Sequence, residues 1–234
     1  PKTIFLKGGI GNQLFQLSHI YNNYYLKNRE VSINIGNFNF FKFPHSFTTK
    51  KIVERLNLKT DKKKQSLNFF ISGFLSKFNE NLDLFGLNGY FQQSFVFNEE
   101  FKIICQEELN KTPISINKDI LIHIRGKDYV YSNKDYIVEM HKFFDRLDEQ
   151  FKDYNNACYC TDDSEFAKKF LSSRNIEAAY VDGSFTQIQE FKNVISFNST
   201  YAWWSTYLGG NQLFSSKNRL GFRCWPNHSK EISC

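Results

Sequence analysis

Proline and glycine are scarce, 4 and 12 of 234 residues, and no repeat, linker or low-complexity stretch interrupts the chain. A fibrous or disordered protein is therefore excluded. Cysteine is also sparse, and odd in number: Cys105, Cys158, Cys160, Cys224 and Cys234. Their spacing matches neither a metal site nor a disulfide framework. Cys158 and Cys160 alternate with Tyr159 in a strand-like run and read as reduced, small apolar side chains. The longest uncharged stretch, Val194 to Ser216, holds ten Ser, Thr, Asn or Gln residues plus Gly209 and Gly210, too polar for hydrocarbon. The opening PKTIFLKGG has no long apolar region, so no secretory leader is expected, and a reducing cytoplasm is the expected compartment. No helix-turn-helix, zinc-finger or RNA-recognition signature is present, so no nucleic-acid partner is expected.

Aromatic residues are abundant. Phe 26, Tyr 12 and Trp 3 make the chain 18% aromatic, enough for a soluble globular protein with a substantial core. Lys+Arg 30 against Asp+Glu 24 leaves a net charge of +6. The densest basic patch is Lys50, Lys51, Arg55, Lys59, Lys62, Lys63 and Lys64. It reads either as a solvated helix and loop or as a surface for anionic lipid.

Strands and helices alternate. Thr3–Lys7 and Val31–Ile35 read as strands, with a helix between them whose Leu14, Leu17, Tyr21 and Tyr25 share a face. The region from Thr48 to Phe78 reads as helix broken near Thr60–Lys64, Leu82–Tyr90 as strand and Ser94–Leu109 as helix. Beyond a turn at Lys111–Pro113, strands at Asp119–Arg125, Ala157–Thr161, Ala178–Val181 and Val194–Phe197 alternate with helices at Lys134–Phe151, Ser164–Ser172, Thr186–Phe191 and Thr200–Leu208. This is an α/β pattern with parallel sheets covered on both faces. It predicts an N-terminal α/β domain over 1–115 and a C-terminal one over 116–234, with ligands beyond the carboxyl ends of strands.

Three loops after strands carry the chemistry. In Gly8-Gly9-Ile10-Gly11-Asn12-Gln13, glycines between strand and helix let a backbone approach a ligand, or simply make a tight turn. No Gly-Lys-Ser/Thr follows, so it is not a P-loop. In Leu121-Ile122-His123-Ile124-Arg125, period two places His123 and Arg125 on one face. Arg125 can hold a phosphate through two parallel hydrogen bonds. His123 can orient or protonate a substrate group, or be hydrogen-bonded core. Asp128 can accept a proton or pair with Arg125. In Asn198-Ser199-Thr200-Tyr201-Ala202-Trp203-Trp204, Ser199 reads as an N-cap whose helix offers free N–H groups; the tryptophans read as packing. A weaker element, Thr161-Asp162-Asp163, either hydrogen-bonds a base or ribose or caps the following helix.

Together these pieces resemble the α-1,2-fucosyltransferases, family 11 of the glycosyltransferases. GGIGNQLFQ matches that family's first motif, HIRGKDY resembles its H-x-R-R-G-D-Y, and NSTYAWWSTYL resembles its N-S-T-F-S-W-W-x-x-x-L. Gly89-Tyr90-Phe91-Gln92 resembles GYFQ, and Thr161-Asp162-Asp163 resembles S-D-D, all in family order. The resemblance implies a GT-B-like pair of Rossmann-type parallel-sheet domains facing a cleft. It also implies transfer of fucose from GDP-fucose to a galactose hydroxyl of a glycan acceptor, with inversion, no metal and no cofactor beyond the donor. By the same resemblance Arg125 binds the β-phosphate and His123 positions the nucleotide. Asp162 and Asp163 bond the guanine or ribose, Ser199 and Thr200 hold the diphosphate, and Gly9, Gly11 and Asn12 line the cleft. Asp128 is the candidate base. Gly126 and Lys127 stand where the family has Arg and Gly, and Ala202 replaces its second serine. The rival readings are a transferase for another nucleotide sugar or acceptor and a non-catalytic GDP-sugar or glycan-binding module. Abundant Lys, Asn, Ile and Phe associate with AT-rich bacterial genomes, hence with surface polysaccharide synthesis. The expected location is the cytoplasm, with peripheral contact to the inner face of an anionic membrane.

Overall fold

The computed structural model describes residues 2–6, 8–34, 49–61, 95–109, 117–132, 135–150, 154, 156–216 and 229–232. The chain divides into two compact units, Pro1–Glu108 and Leu109–Cys234. Both are α/β, with every described strand pair parallel.

In the first unit β1 (Lys2–Phe5), β2 (Val31–Asn34) and β3 (Lys59–Asp61) form a sheet in that order. Helix α1 (Ile10–Ile20) packs Leu14, Phe15, Leu17 and Ile20 out of solvent, with Ile4 and Ile33 of the sheet. The face predicted for this helix breaks at its end. Tyr21–Tyr25 is a π-helical turn, and the i→i+5 bonding pattern rotates later residues off the α-helical stripe. Tyr21 is fully buried, whereas Tyr25 is 43% exposed.

The helix expected up to a break near Thr60–Lys64 ends earlier. Helix α2 (Lys50–Arg55) is short, with Ile52 and Val53 buried. Asn57 then turns left-handed at φ 48, and Lys59–Asp61 aligns as a strand beside Ser32–Asn34. Hydrogen bonding to a sheet edge outweighs the local helical pattern. Of the basic patch, Lys50 pairs with Glu54 at 3.3 Å and Arg55 with Glu108 at 3.2 Å, so two of its cations already face acids. Lys62, Lys63 and Lys64, the expected strand Leu82–Tyr90 and the Gly89–Gln92 motif lie outside the described residues. Helix α3 (Glu99–Leu109) starts later than expected from Ser94, because the Asn98 side chain accepts the Phe101 N–H at 2.9 Å and fixes the first turn there.

The second unit contains β4 (Lys118–Ile124), α4 (Lys127–Ser132), α5 (Asp135–Gln150), β5 (Cys158–Thr161), α6 (Ser164–Ser173) and β6 (Ala179–Tyr180). A 3-10 turn at Gln187–Glu190 leads to β7 (Phe191–Ser196), α7 (Thr200–Gly209), β8 (Gln212–Ser216) and β9 (Ser229–Ile232). The sheet order is β6-β5-β4-β7-β8-β9. Numbered from its own first strand, that is the doubly wound 3-2-1-4-5-6 arrangement, whose order reverses between its first and fourth strands. Strands β8 and β9 and the short helix α4 are additions to the sequence reading.

Apolar spacing explains the core. Tyr136, Met140, Phe143, Phe144 and Leu147 form one stripe of α5, three or four residues apart. They pack on Ile120, Ile122 and Ile124 of β4 with Ile195 and Phe214. Helix α7 is different: Ala202 through Leu208 are all buried, the mark of a helix enclosed on every side. Trp203 and Trp204 have no exposed surface, so they are packing residues, as the sequence reading held.

Candidate functional site

Parallel strands deliver their following loops to one edge of the sheet, and the crevice opens where neighbouring strands lead away in opposite directions. In the second unit that point lies between β4 and β7. His123 of β4 pairs in register with Cys160 of β5 and with Ser196 of β7.

His123 is half-buried, with Nδ1 3.1 Å from the Ser196 hydroxyl oxygen. Its ring lies nearly parallel to that of Tyr201, centroids 6.2 Å apart. Burial first, and the Arg125 charge second, pull its pKa down to about 4. The imidazole is therefore neutral at pH 7 and acts as a hydrogen-bonding, orienting group. Because the folded pKa lies below the unfolded one, the unfolded chain binds the extra proton between about pH 4 and 6.5. This contribution to stability is intact above pH 6.5 and is lost as pH falls through 4, by at most about 3 kcal/mol. Thermal melts across that window should show His123→Gln losing less stability on acidification than the wild type. Parallel curves would place the histidine's titration elsewhere.

Arg125 and Asp162 face one another across the ends of β4 and β5. Arg125 Nε lies 3.3 Å from Asp162 Oδ2, and the guanidinium sits over the Tyr129 ring, 5.3 Å from its centroid. The other carboxylate oxygen of Asp162 accepts the Gly126 N–H at 2.6 Å. Asp163 caps α6, accepting the Phe166 N–H at 3.1 Å. A Cβ on Gly126 would stand 2.4 Å from the Asp163 Cβ, so only glycine fits there. The Thr161-Asp162-Asp163 run thus locks the β5 loop onto the β4 loop and caps a helix, one of the two roles its sequence allowed. Lys127, which begins α4, is exposed and has φ 31. The side chain of Asp128 lies outside the described residues.

Ser199 caps α7, accepting the Ala202 N–H at 3.3 Å, and Thr200 opens the helix half-buried. This helix N-terminus follows β7 directly, at the same sheet edge as His123. Two members of the constellation escaped the sequence reading. Ser196 holds the histidine. Tyr201 packs on it, donates from its hydroxyl to the Gly183 carbonyl at 3.3 Å and meets Phe185 edge-on. Tyr201 sits two residues past the predicted cap, which was the available signal; the Ser196 contact depends on strand order.

The glycine loop belongs to the first unit. Gly8 has φ +78, and a Cβ there would lie 2.6 Å from Asn12 Nδ2, so its glycine is required by the turn. Gly9 is the exposed N-cap residue of α1, with no side-chain cap; Gly11 is buried and Asn12 half-buried. Gln13 donates to the Gly8 carbonyl at 2.9 Å and accepts from Thr49 at 2.9 Å. A cavity of about 510 Å³ in this unit is lined by Tyr24, Tyr25, Arg29, Ser32, Leu56 and Lys59, among others. It adjoins the amino ends of β2 and β3, whereas the polar convergence in the second unit lies at carboxyl ends, and we place the candidate site there.

Cys105, Cys158 and Cys160 are free thiols. Burial pushes the Cys160 thiol up to about 12, so it is no nucleophile at neutral pH. Among the described residues no three His, Cys, Asp or Glu side chains gather into a metal-holding group, and no helix is long and apolar enough to cross a membrane.

No protein-family model matches the chain. It is similar to an alpha-1,2-colitosyltransferase of Escherichia coli, 24% identical over 256 aligned positions covering 89% of this chain and 87% of that protein. The likeness therefore runs through both units and is to a glycosyltransferase.

Proposed function

We propose that the chain transfers L-fucose from GDP-fucose to a galactose hydroxyl of a glycan in α-1,2 linkage, with inversion and without a metal. The observation that carries this reading is that Arg125 follows β4 and the N-terminus of α7 follows β7, the two neighbouring strands at the switch point of a 3-2-1-4-5-6 parallel sheet. It is joined by near full-length likeness to a transferase whose name specifies an α-1,2 linkage. A sugar diphosphate leaving group gains negative charge as its glycosidic bond breaks. Cationic and N–H donors fixed beforehand stabilise that charge without reorganising. Arg125 supplies the cation; the first turn of α7, with Ser199 and Thr200, supplies N–H and hydroxyl donors. Neutral His123 orients the nucleotide without adding charge, and Asp162 holds Arg125 while keeping lone pairs for ribose or guanine. Gly9, Gly11 and Asn12 are assigned, by the resemblance, to lining the donor cleft.

The acceptor hydroxyl attacks the anomeric carbon as GDP departs from the opposite face, in a single displacement. Its proton goes to a carboxylate, for which Asp128 is our candidate. Asp128→Asn should abolish transfer while GDP still binds, as measured by paired rate assays and calorimetry. Unchanged turnover would remove Asp128 from that role.

A second donor reading follows from the relative's name: colitose is fucose lacking its 3-hydroxyl. Thermal midpoints with GDP-fucose, the corresponding 3-deoxy sugar nucleotide, and UDP and CMP sugars test donor class. GDP-fucose is expected to give the largest rise; preference for a UDP or CMP sugar would overturn the reading.

A further inference from the structure

In the first unit Val31 pairs with Lys2, the first residue of β1, and the cavity of about 510 Å³ opens at that end of the sheet, beside Val31 and Lys59. The glycine loop follows β1 at the other end, a strand length of about 13 Å away. No residue given a role in transfer lines the cavity, and its volume is that of a small-molecule site.

The lining combines three kinds of group. The π turn at Tyr21–Tyr25 carries Tyr25 off the buried face of α1, so its ring is 43% exposed and lines the cavity. That ring is fixed: it stacks on buried Tyr21, centroids 5.1 Å apart, and Tyr21 in turn meets Phe101 at 5.3 Å. π turns recur at functional sites. Asn28 and Asn57 also line the cavity, and each amide offers two donors and an acceptor. Arg29 and Lys59 add two cations against the single acid Glu30. Among the described residues no ion pair neutralises Arg29 or Lys59, whereas Arg55 of helix α2 has Glu107 and Glu108.

A bare phosphate would use the cations alone. A sugar chain with an anionic group would use all three: a pyranose face on the tyrosine, hydroxyls on the amides, and a carboxylate on the guanidinium through two parallel hydrogen bonds. We propose that this cavity binds an acidic oligosaccharide, a carboxylate-bearing stretch of the glycan apart from the hydroxyl that receives the sugar. This rests on the reading that the acceptor is a glycan, and not on the identity of the donor.

Calorimetry on the full chain without nucleotide uses three probes. They are a tetrasaccharide of alternating hexuronate and N-acetylhexosamine, the same tetrasaccharide with its carboxyls reduced to alcohols, and inorganic phosphate. The acid form is expected to bind about tenfold more tightly than either of the others. Arg29→Met and Lys59→Met should each weaken the acid form about tenfold, the loss of one charge-assisted contact, and leave the reduced form unchanged. Tyr25→Leu should weaken both sugar forms. All three positions are exposed, so melting temperatures should stay close to wild type, and transfer to a simple galactoside should be unaltered.

An acid tetrasaccharide that does not bind, or that binds regardless of all three changes, would overturn the proposal. Phosphate binding as tightly as the acid sugar would overturn it in favour of a plain anion site. So would adhesion to phosphatidylglycerol vesicles that the same variants lose, without sugar binding, in favour of a membrane surface. A chain that binds the acid sugar yet transfers no fucose would instead overturn the transfer reading and leave the cavity its ligand.

Discussion

Replacing Arg125 by methionine is expected to lower kcat/KM for sugar transfer by about a thousandfold, in line with the loss of one fixed donor to a developing anion. The fold should survive. Arg125 and Asp162 are both partly exposed, and such pairs contribute about 1 kcal/mol or less. Asp162 also keeps the Gly126 N–H as a partner. Lysine at 125 should recover only part of the rate, because a point charge on a flexible stem cannot reproduce two parallel hydrogen bonds to a phosphate. Steady-state rates for the three proteins, with melting curves as control, decide the matter. A methionine variant within threefold of wild type would take Arg125 out of the reaction.

Gly126→Ala is expected to be a damaging single-methyl change at this edge. The added carbon would lie 2.4 Å from the Asp163 Cβ, so the β4 loop must retreat from the β5 loop, weakening the short Gly126–Asp162 hydrogen bond. Overpacking of this kind costs about 3 kcal/mol, which for a chain of this size lowers the melting temperature by about 9 °C. GDP binding should weaken along with it, since Arg125 is carried on the same loop. The clash is with a Cβ, so trimming Asp163 to alanine offers no relief. Asp163→Gly does, and the double variant should recover part of the loss despite the missing helix cap. Strict additivity of the two single changes would show that they do not meet. An alanine variant as stable as wild type would contradict the close approach.

Much of this edge was legible in the chain. Alternation in Leu121–Arg125 announced a strand with His123 and Arg125 toward its end, and Ser199 and Asp163 had the composition of helix caps; the structure has each in that place. What escaped depends on contacts distant in sequence. Ser196 meets His123 only because β7 lies beside β4, and the switch point is a property of strand order. Strand β8, with Leu213 and Phe214 buried, was hidden because the uncharged run before it already held a strand and a helix. In the first unit, Asn57 looked like helix surface, yet its left-handed turn sends Lys59–Asp61 into a sheet. Tyr25 fits an α-helical face that the π turn does not preserve.

The most direct test of the account is a transfer reaction with the full chain, GDP-fucose and galactosyl acceptors, read by product mass and by NMR of the new linkage. The expected product is an acceptor heavier by one deoxyhexose, α-1,2-linked with inverted anomeric configuration, with one GDP released per transfer, formed about a thousandfold less efficiently by the Arg125→Met variant. GDP-fucose that neither binds the chain nor yields its sugar to any galactoside, or transfer that proceeds undiminished without Arg125, would contradict the account.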